Sequence, residues 1–394
     1  MLSKFTTTAL IALSGAWVAE SRPAESSTTP ARNSRRWLPG SDKIRGVNLG
    51  SHFIIEKWMA GDEWNTMGCG DTNDEWSCVQ ALGQDAADIK NLGLNTVRIP
   101  VGFWINEDLV NDGEYYPKGG LEYLDYIVGN CTEAGLYVIM DLHGGPGVQT
   151  PNQQFTGHSV STPGFYTADN YERAYKFLEW MTERVHTNSA YYNVGMIEVI
   201  NEPVQSGSYP SEAADMIANY YPTAWSRIRA REDQLSVTDS NRVHIQMMAT
   251  AWGSGDPSSS LTDQTFAAYD DHRYLKWDTS VTATQEGYIS AACSDNRGGD
   301  DIIIGEWSIS VADDVQYNAE FDIKDTDANN AWYKDFWAAQ AQAFERSGGW
   351  IFWSWKCNYE ISGFNEWRWC CQSAAAAGII PQDASSAASI SPCS

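Results

Sequence analysis

Two stretches of strand-forming residues each end on a carboxylate. Met196-Ile197-Glu198-Val199-Ile200-Asn201-Glu202-Pro203 delivers an amide, an acid and a proline in succession, and Asp301-Ile302-Ile303-Ile304-Gly305-Glu306-Trp307 delivers an acid beside an indole. Two acids at the ends of two buried strands suit acetal cleavage. One protonated carboxyl releases the alcohol, and one ionised carboxylate meets the oxocarbenium-like carbon. Asn-Glu-Pro alone is a weak signal, because a short triplet recurs by chance in a chain of this length; paired with Glu306 it gains weight.

Such acids need rigid supports. The continuous apolar runs Val199-Ile200 and Ile302 to Ile304 indicate strands buried on both faces, as in a parallel sheet. In a barrel of parallel strands the reacting groups collect at the carboxyl ends, where both glutamates fall. Strand signals run over Ile44 to Leu49, Leu94 to Pro100 (where a proline would stop the ladder), Tyr137 to His143, Met196 to Pro203 and Val243 to Ala249. A weaker one lies within Phe266 to Leu275, followed by Ile302 to Glu306 and Trp350 to Trp353.

Helical spacing joins Leu121, Leu124, Val128 and Cys131; Tyr171, Ala174, Tyr175, Leu178, Met181 and Val185; Val281, Gln285, Tyr288 and Ala292; and Trp332, Phe336, Ala339 and Ala343. Strand and helix thus alternate about eight times, which predicts an α/β protein with a (β/α)8 TIM barrel as its single catalytic domain. No glycine-rich phosphate loop follows a strand, no G-x-S-x-G elbow is present, and no metal motif or internal repeat is visible. No cofactor is expected.

The polar and aromatic residues at the expected strand ends are Arg98, His143, Asn201, Glu202, His272, Tyr274, Glu306 and Trp353. In this set the chain closely resembles glycoside hydrolase family 5, through Arg98 in RIP, His143 in DLHG, Asn201 and Glu202 in NEP, His272 and Tyr274 in DHRY, Glu306 in GEW and Trp353 in GWIFW. The resemblance covers roughly residues 37–393. Within the family, Ile44-Arg45-Gly46-Val47-Asn48-Leu49-Gly50, Gly68-Cys69-Gly70, Asp141 to Gly147 and His244 to Met248 look most like the fungal endo-β-1,6-glucanases. The exo-β-1,3-glucanases come next.

That likeness implies a retaining enzyme with Glu202 as acid/base and Glu306 as nucleophile, and β-glucan as substrate. Arg98 is expected to keep Glu306 ionised, and Glu202 to stand in drier surroundings with its pKa raised. Asn201 would bond the sugar 2-hydroxyl and Tyr274 would donate to the nucleophile. His143 and His272 would orient sugar hydroxyls or the acid/base, and Trp353 would floor the cleaved sugar's site. Each has a plainer reading: Arg98 as a surface ion pair, His143 as a satisfied core histidine, His272 as part of a solvated charge cluster, Trp353 as core packing.

One departure from the family pattern stands before the second strand. Residues 80–90 run straight into Asn91-Leu92-Gly93 where the family carries a longer segment, so the first helix, with Val79, Leu82, Ala86 and Ile89 in phase, is expected to be shortened. A catalytically impaired glucan-binding protein is the reading that follows if this loss spoils the barrel.

The aromatic fraction of 12% suits sugars, whose C–H faces stack on indoles and phenols; Trp58, Trp64, Trp104, Trp252, Trp307 and Trp355 are candidate flanking subsites. Residues 1–19 read as a signal peptide, with Lys4, an apolar centre from Ala9 to Leu13 and small residues at Ser14-Gly15-Ala16 or Ala19. Its apolar run is too short for a membrane anchor. Residues 20–36, rich in Ser, Thr, Pro and Arg and ending in Arg35-Arg36, read as a linker or pro-segment, and residues 37–394 as the barrel.

The net charge of −25, or −28 without residues 1–36, repels nucleic acid and anionic lipid and fits a neutral polymer. Eight cysteines without CxxC spacing favour disulfides in a secreted, extracellular or cell-wall protein, Cys69 with Cys78 being the one bridge expected, on proximity in sequence. Asn130-Cys131-Thr132 is a candidate glycosylation sequon. A monomer is expected.

Overall fold

Alternating side chains divide each strand between two environments, and eight such strands close on themselves. The computed structural model describes residues 43–50, 53–54, 59, 86–323, 327–357, 360–361 and 364–393. All lie in one unit spanning residues 35–394. The expected signal peptide, the linker, the Cys69 and Cys78 pair and the start of the first helix lie outside the described residues.

The strands are β1 (Ile44–Asn48), β2 (Thr96–Gly102), β3 (Tyr137–Gly144), β4 (Val194–Glu198), β5 (His244–Met248), β6 (Ala267–His272), β7 (Ile302–Glu306) and β8 (Gly349–Phe352). They pair in parallel in chain order, and β8 returns to β1 through Ile44 opposite Gly349, giving the (β/α)8 barrel. Ile139, Met196, Ala268, Ile303 and Ile351 point inward and fill the lower barrel. Val138, Met140, Ile197 and Ile304 point outward and join the core beneath the helices. Two residues on from the inward apolar set stand Asp141, Glu198, Asp270 and Gly305, so the period of two carries three acids into the barrel mouth.

Pro100 does not stop β2, which runs on to Gly102 with Pro100 opposite Asp141. The Arg98 carbonyl accepts from Leu49 N at 3.0 Å at the end of β1. Pro100, two residues further, turns its missing donor to the same side, beyond the last pair of that ladder, so no bond is lost.

Helices α1 (Ala86–Asn91), α2 (Leu121–Glu133) and α3 (Ala168–Thr187) follow the first three strands. After β4 come α4 (Pro210–Asp215), a π-helical turn (Met216–Tyr220) and α5 (Tyr221–Gln234); α6 (Gln285–Ser294) follows β6 and α7 (Asp327–Phe344) follows β7. The described part of α1 is six residues long. In α3 the predicted stripe is the buried one: Leu178 and Met181 are fully enclosed, and Thr167 caps the start by accepting from Asn170 N. Burying each such side chain contributes roughly 1.5–3 kcal/mol.

The strict alternation fails between β5 and β6. There the chain makes only two short 3-10 turns, Thr250–Trp252 and Pro257–Ser260, with no α-helix among residues 249–266. Gly253, Gly255, Pro257 and three successive serines supply neither the apolar stripe nor the propensity a helix needs. After β8 a short hairpin (Glu360–Ile361 and Phe364–Asn365) leads to α8 (Cys371–Ala376). Disulfides join Cys293 to Cys393 and Cys357 to Cys370, while Cys131 and Cys371 are buried thiols. Burial pushes the Cys131 thiol up to about 12. Among the described residues no helix is long and apolar enough to cross a membrane.

Candidate active site

Glu306 closes β7 at the barrel mouth, its side chain 7% exposed. Arg98 Nη1 donates to its Oε1 at 3.1 Å and the Tyr274 hydroxyl to its Oε2 at 2.8 Å, so both oxygens are served. Burial raises the pKa of Glu306, against the opposing pull of His272 and Arg98. Arg98 is itself fully enclosed: it also donates to Glu198 Oε2 at 2.9 Å, Asn48 Oδ1 at 2.9 Å and Asn201 Oδ1 at 2.8 Å.

Glu202 is placed by a turn rather than a strand, since β4 ends at Glu198. Asn201 N donates to Leu142 O at 3.0 Å, tying this turn to β3. Gln149 Nε2 donates to the carbonyls of His143 at 2.6 Å and Asn201 at 3.0 Å, and the Thr150 hydroxyl donates to the Glu202 carbonyl. Tyr166 bridges the same two loops, donating to Gln149 O at 2.7 Å and accepting from Val204 N at 2.8 Å. These bonds hold Glu202 at φ 37°, a left-handed conformation that costs a non-glycine residue roughly 1–3 kcal/mol.

His272, last residue of β6, joins the two acids. Its Nδ1 lies 2.6 Å from Glu202 Oε1 and 3.6 Å from Glu306 Oε2, and its Nε2 lies 3.4 Å from Asp270 Oδ2. Burial opposes charge on this ring, but Glu306, Asp270 and Glu202 outweigh it and raise the pKa well above the ordinary 6.5. One carboxylate oxygen from each glutamate and a His272 ring nitrogen all lie within 4.8 Å of one another. A cation could be bridged at that spacing, but it would need the nitrogen that His272 uses toward Glu202.

Above these groups opens a cleft of about 780 Å³. Trp353, 4% exposed, lies parallel to the His143 ring at 5.6 Å between centroids, and both face the cleft. His143 Nδ1 lies 2.6 Å from Asp141 Oδ2, which leaves Nε2 without a partner. Asn201 spends its oxygen on Arg98, and its Nδ2 is likewise unpartnered beside the cleft. A sugar hydroxyl arriving there would meet both groups.

The descriptive model for cellulase (glycosyl hydrolase family 5) matches residues 58–359. The chain belongs to glycosyl hydrolase family 5. This family 5 chain is 50% identical over 381 residues to the glucan endo-1,6-beta-glucosidase B of Emericella nidulans, covering 92% of this chain and 90% of that protein. It is 46% identical over 408 residues to a probable glucan endo-1,6-beta-glucosidase B of Neosartorya fischeri, covering 98% of each. A glucan 1,3-beta-glucosidase of Blumeria graminis is 28% identical over 401 residues, covering 87% of each. The fold is shared with the crystal structure of rutinosidase from Aspergillus niger, at TM-score 0.64 and 18% identity over 86% of this chain and 98% of that one.

The family 5 barrel brings all eight predicted site residues to one cleft or to the residues that line it. Two expectations need correction. Glu202 is not the drier acid: its side chain is 16% exposed against 7% for Glu306, because it stands on a loop rather than at a strand end. Trp104, Trp307 and Trp355 are no subsites; each is at most 2% exposed, packed in the core. Of the other tryptophans proposed, Trp252 lines the cleft and Trp58 and Trp64 lie outside the described residues.

Sequence reasoning missed Trp277 and Trp369, which form an aromatic triplet with Tyr274 at centroid distances of 4.9 to 5.8 Å, Trp277 being 59% exposed. It also missed Asn48, Asp141, Glu198 and Asp270 around Arg98. For Asp141 and Glu198 the signal was present: an acid with apolar neighbours on both sides inside a buried strand must itself be buried and therefore paired. Asn130 lies within α2, half-buried, next to a buried Cys131 and with the Thr132 hydroxyl donating to Ala190 O at 2.7 Å. An acceptor asparagine ordinarily occupies a surface loop.

Proposed function

We propose that this glycoside hydrolase is a secreted endo-acting enzyme that cleaves β-1,6-glucosidic bonds in fungal-type cell-wall glucan with retention of configuration. The observation that carries this reading is the placement of carboxylate oxygens of Glu202 and Glu306 within 4.8 Å of each other across the open cleft. Retaining glycosidases hold their two carboxyl groups about 5–5.5 Å apart, whereas inverting ones leave roughly 6.5–9.5 Å for a water. The linkage comes from the named activity of the relatives at 46–50% identity.

In this mechanism the sugar to be cleaved rests on Trp353, its hydroxyls met by His143 and Asn201. Glu306 attacks the anomeric carbon while Glu202 passes a proton to the leaving oxygen. Tyr274 and Arg98 keep Glu306 oriented and favour its ionised form against burial. Water then enters on the side the leaving group vacated, Glu202 takes its proton, and the glycosyl ester on Glu306 is hydrolysed. His272 sits where it can exchange a hydrogen bond with Glu202 as that acid changes charge twice per turnover.

The test is a reducing-sugar assay on linear β-1,6-, β-1,3- and β-1,4-glucans, with product lengths and anomeric configuration followed by NMR. Oligosaccharides of the β-configuration from the β-1,6 polymer are expected. Glucose alone from the β-1,3 polymer would replace this reading with an exo-β-1,3-glucanase. Binding to insoluble glucan without reducing sugar would replace it with an inactive binding protein. Secretion rests on residues 1–19, and N-terminal sequencing of the exported protein tests it together with cleavage after Arg36.

A further inference from the structure

The barrel mouth holds more acid than Arg98 can balance. Four carboxyl groups approach its guanidinium: Asp141 at 3.1 Å, Glu198 at 2.8 Å, Asp270 at 3.5 Å and Glu306 at 3.1 Å. The first three are wholly buried; His272 faces Asp270 and His143 faces Asp141.

Their hydrogen-bond donors differ. Glu306 has Arg98 on one oxygen and Tyr274 on the other. Asp141 faces His143 Nδ1 at 2.6 Å, and Asp270 Oδ1 accepts from Gly305 N at 2.8 Å. Glu198 has Arg98 alone, and both contacts, Nε at 2.9 Å and Nη2 at 2.8 Å, fall on Oε2. Its Oε1 is buried with no hydrogen-bond partner, as is Asp141 Oδ1; Asp270 Oδ2, which shares Arg98 Nη2 with Glu198, meets that nitrogen only at 3.5 Å and His272 Nε2 only at 3.4 Å, both long for hydrogen bonds. Glu198 Oε1 has no donor and Asp270 Oδ2 only these two long approaches, so one proton on Glu198 given to Asp270 serves both.

We propose that Glu198 is a positioning residue that stands as a neutral carboxylic acid, its protonated oxygen donating to Asp270 while the other accepts from Arg98. The proton removes one buried negative charge and fixes the plane of the guanidinium. Arg98 then faces Asp141, Asp270 and Glu306 with its charge less divided. Burial favours the neutral acid; Arg98 opposes it, Asp270 and Asp141 reinforce it, and His272 opposes it. Tyr221 is the titratable group facing Glu198 from α5, and its β5 neighbour in register, Gln246, carries no charge.

The kinetic consequence rests on Glu306 being the nucleophile; the protonation state does not, and two measurements separate them. Infrared spectroscopy of the whole protein at neutral pH should show, beside the band of the Glu202 acid, a protonated carboxyl C=O band that persists in Asp141→Asn and Glu202→Gln and disappears in Glu198→Gln. Absence of any protonated-carboxyl band in Glu202→Gln overturns the proposal, and this holds even if Glu198→Gln fails to fold. In kinetics on β-1,6-glucan, Glu198→Ala should lower kcat about 100-fold with little change in KM. Glu198→Gln, a neutral group that still accepts from Arg98 and donates to Asp270, should recover most of that loss and keep the acid limb of kcat/KM in place. A limb displaced to lower pH by about one unit in Glu198→Gln would show an ionised glutamate and overturn the proposal. If the wild type leaves every glucan intact, the functional reading fails while the infrared band still decides the proton.

Discussion

His272 holds Glu202 through a single contact, Nδ1 to Oε1 at 2.6 Å, from a ring whose side chain has no exposure to solvent. The acid/base candidate on a loop is thereby tied to a strand of the barrel. Because the folded pKa of His272 is raised above 6.5, its charge contributes stability that is complete below that pH and is lost as pH rises through the folded value. Urea unfolding of the wild type and His272→Gln between about pH 5 and pH 9 should show the largest stability gap at the acid end, closing toward the alkaline end. A gap that widens with pH would contradict the assigned charge.

Glu306→Gln should lower turnover of every glucoside by roughly 10⁴-fold or more, since no ester can form. Glu202→Gln should lose activity on glucan but keep the first step on aryl glucosides with good leaving groups, which need no proton. A burst of released phenol followed by slow turnover in stopped-flow would register this. Equal loss on both substrates would contradict the division of roles.

Tyr274→Phe removes the donor to Glu306 Oε2 at 2.8 Å and leaves burial less opposed. Burial already raises Glu306 above the carboxylate value of 4.5, so the acid limb of kcat/KM should lie above that pH in the wild type and move higher still in the variant. A fall in kcat of about 10- to 100-fold at neutral pH should accompany the shift. The pH profiles of both proteins check it.

Gly305→Ala should destabilise the barrel, because a Cβ there would stand 2.0 Å from Asp270 Oδ1, inside any permitted contact. Asp270 would have to leave the Gly305 N–H it now accepts from and disturb its contacts with Arg98 and His272. A loss of about 2–4 kcal/mol in chemical unfolding, with activity falling further than stability alone explains, is the expected result.

The residues carrying periodicity and chemistry were legible along the chain. Ile302 to Ile304 and Tyr137 to His143 declare buried parallel strands, the stripe from Tyr171 to Val185 declares a helix face, and RIP, NEP and GEW name the groups that meet. Such patterns are local: side-chain period and residue type depend on neighbours within a few positions. What only the folded chain decided depends on groups distant in sequence. Pro100 continues its strand because β1 ends beside it. Residues 249–266 cross the barrel without an α-helix. Glu306, not Glu202, is the drier acid, because one closes a strand and the other rides a turn held by Thr150. The four carboxyl groups around Arg98 come from β3, β4, β6 and β7, and only barrel closure at a particular register sets them about one guanidinium.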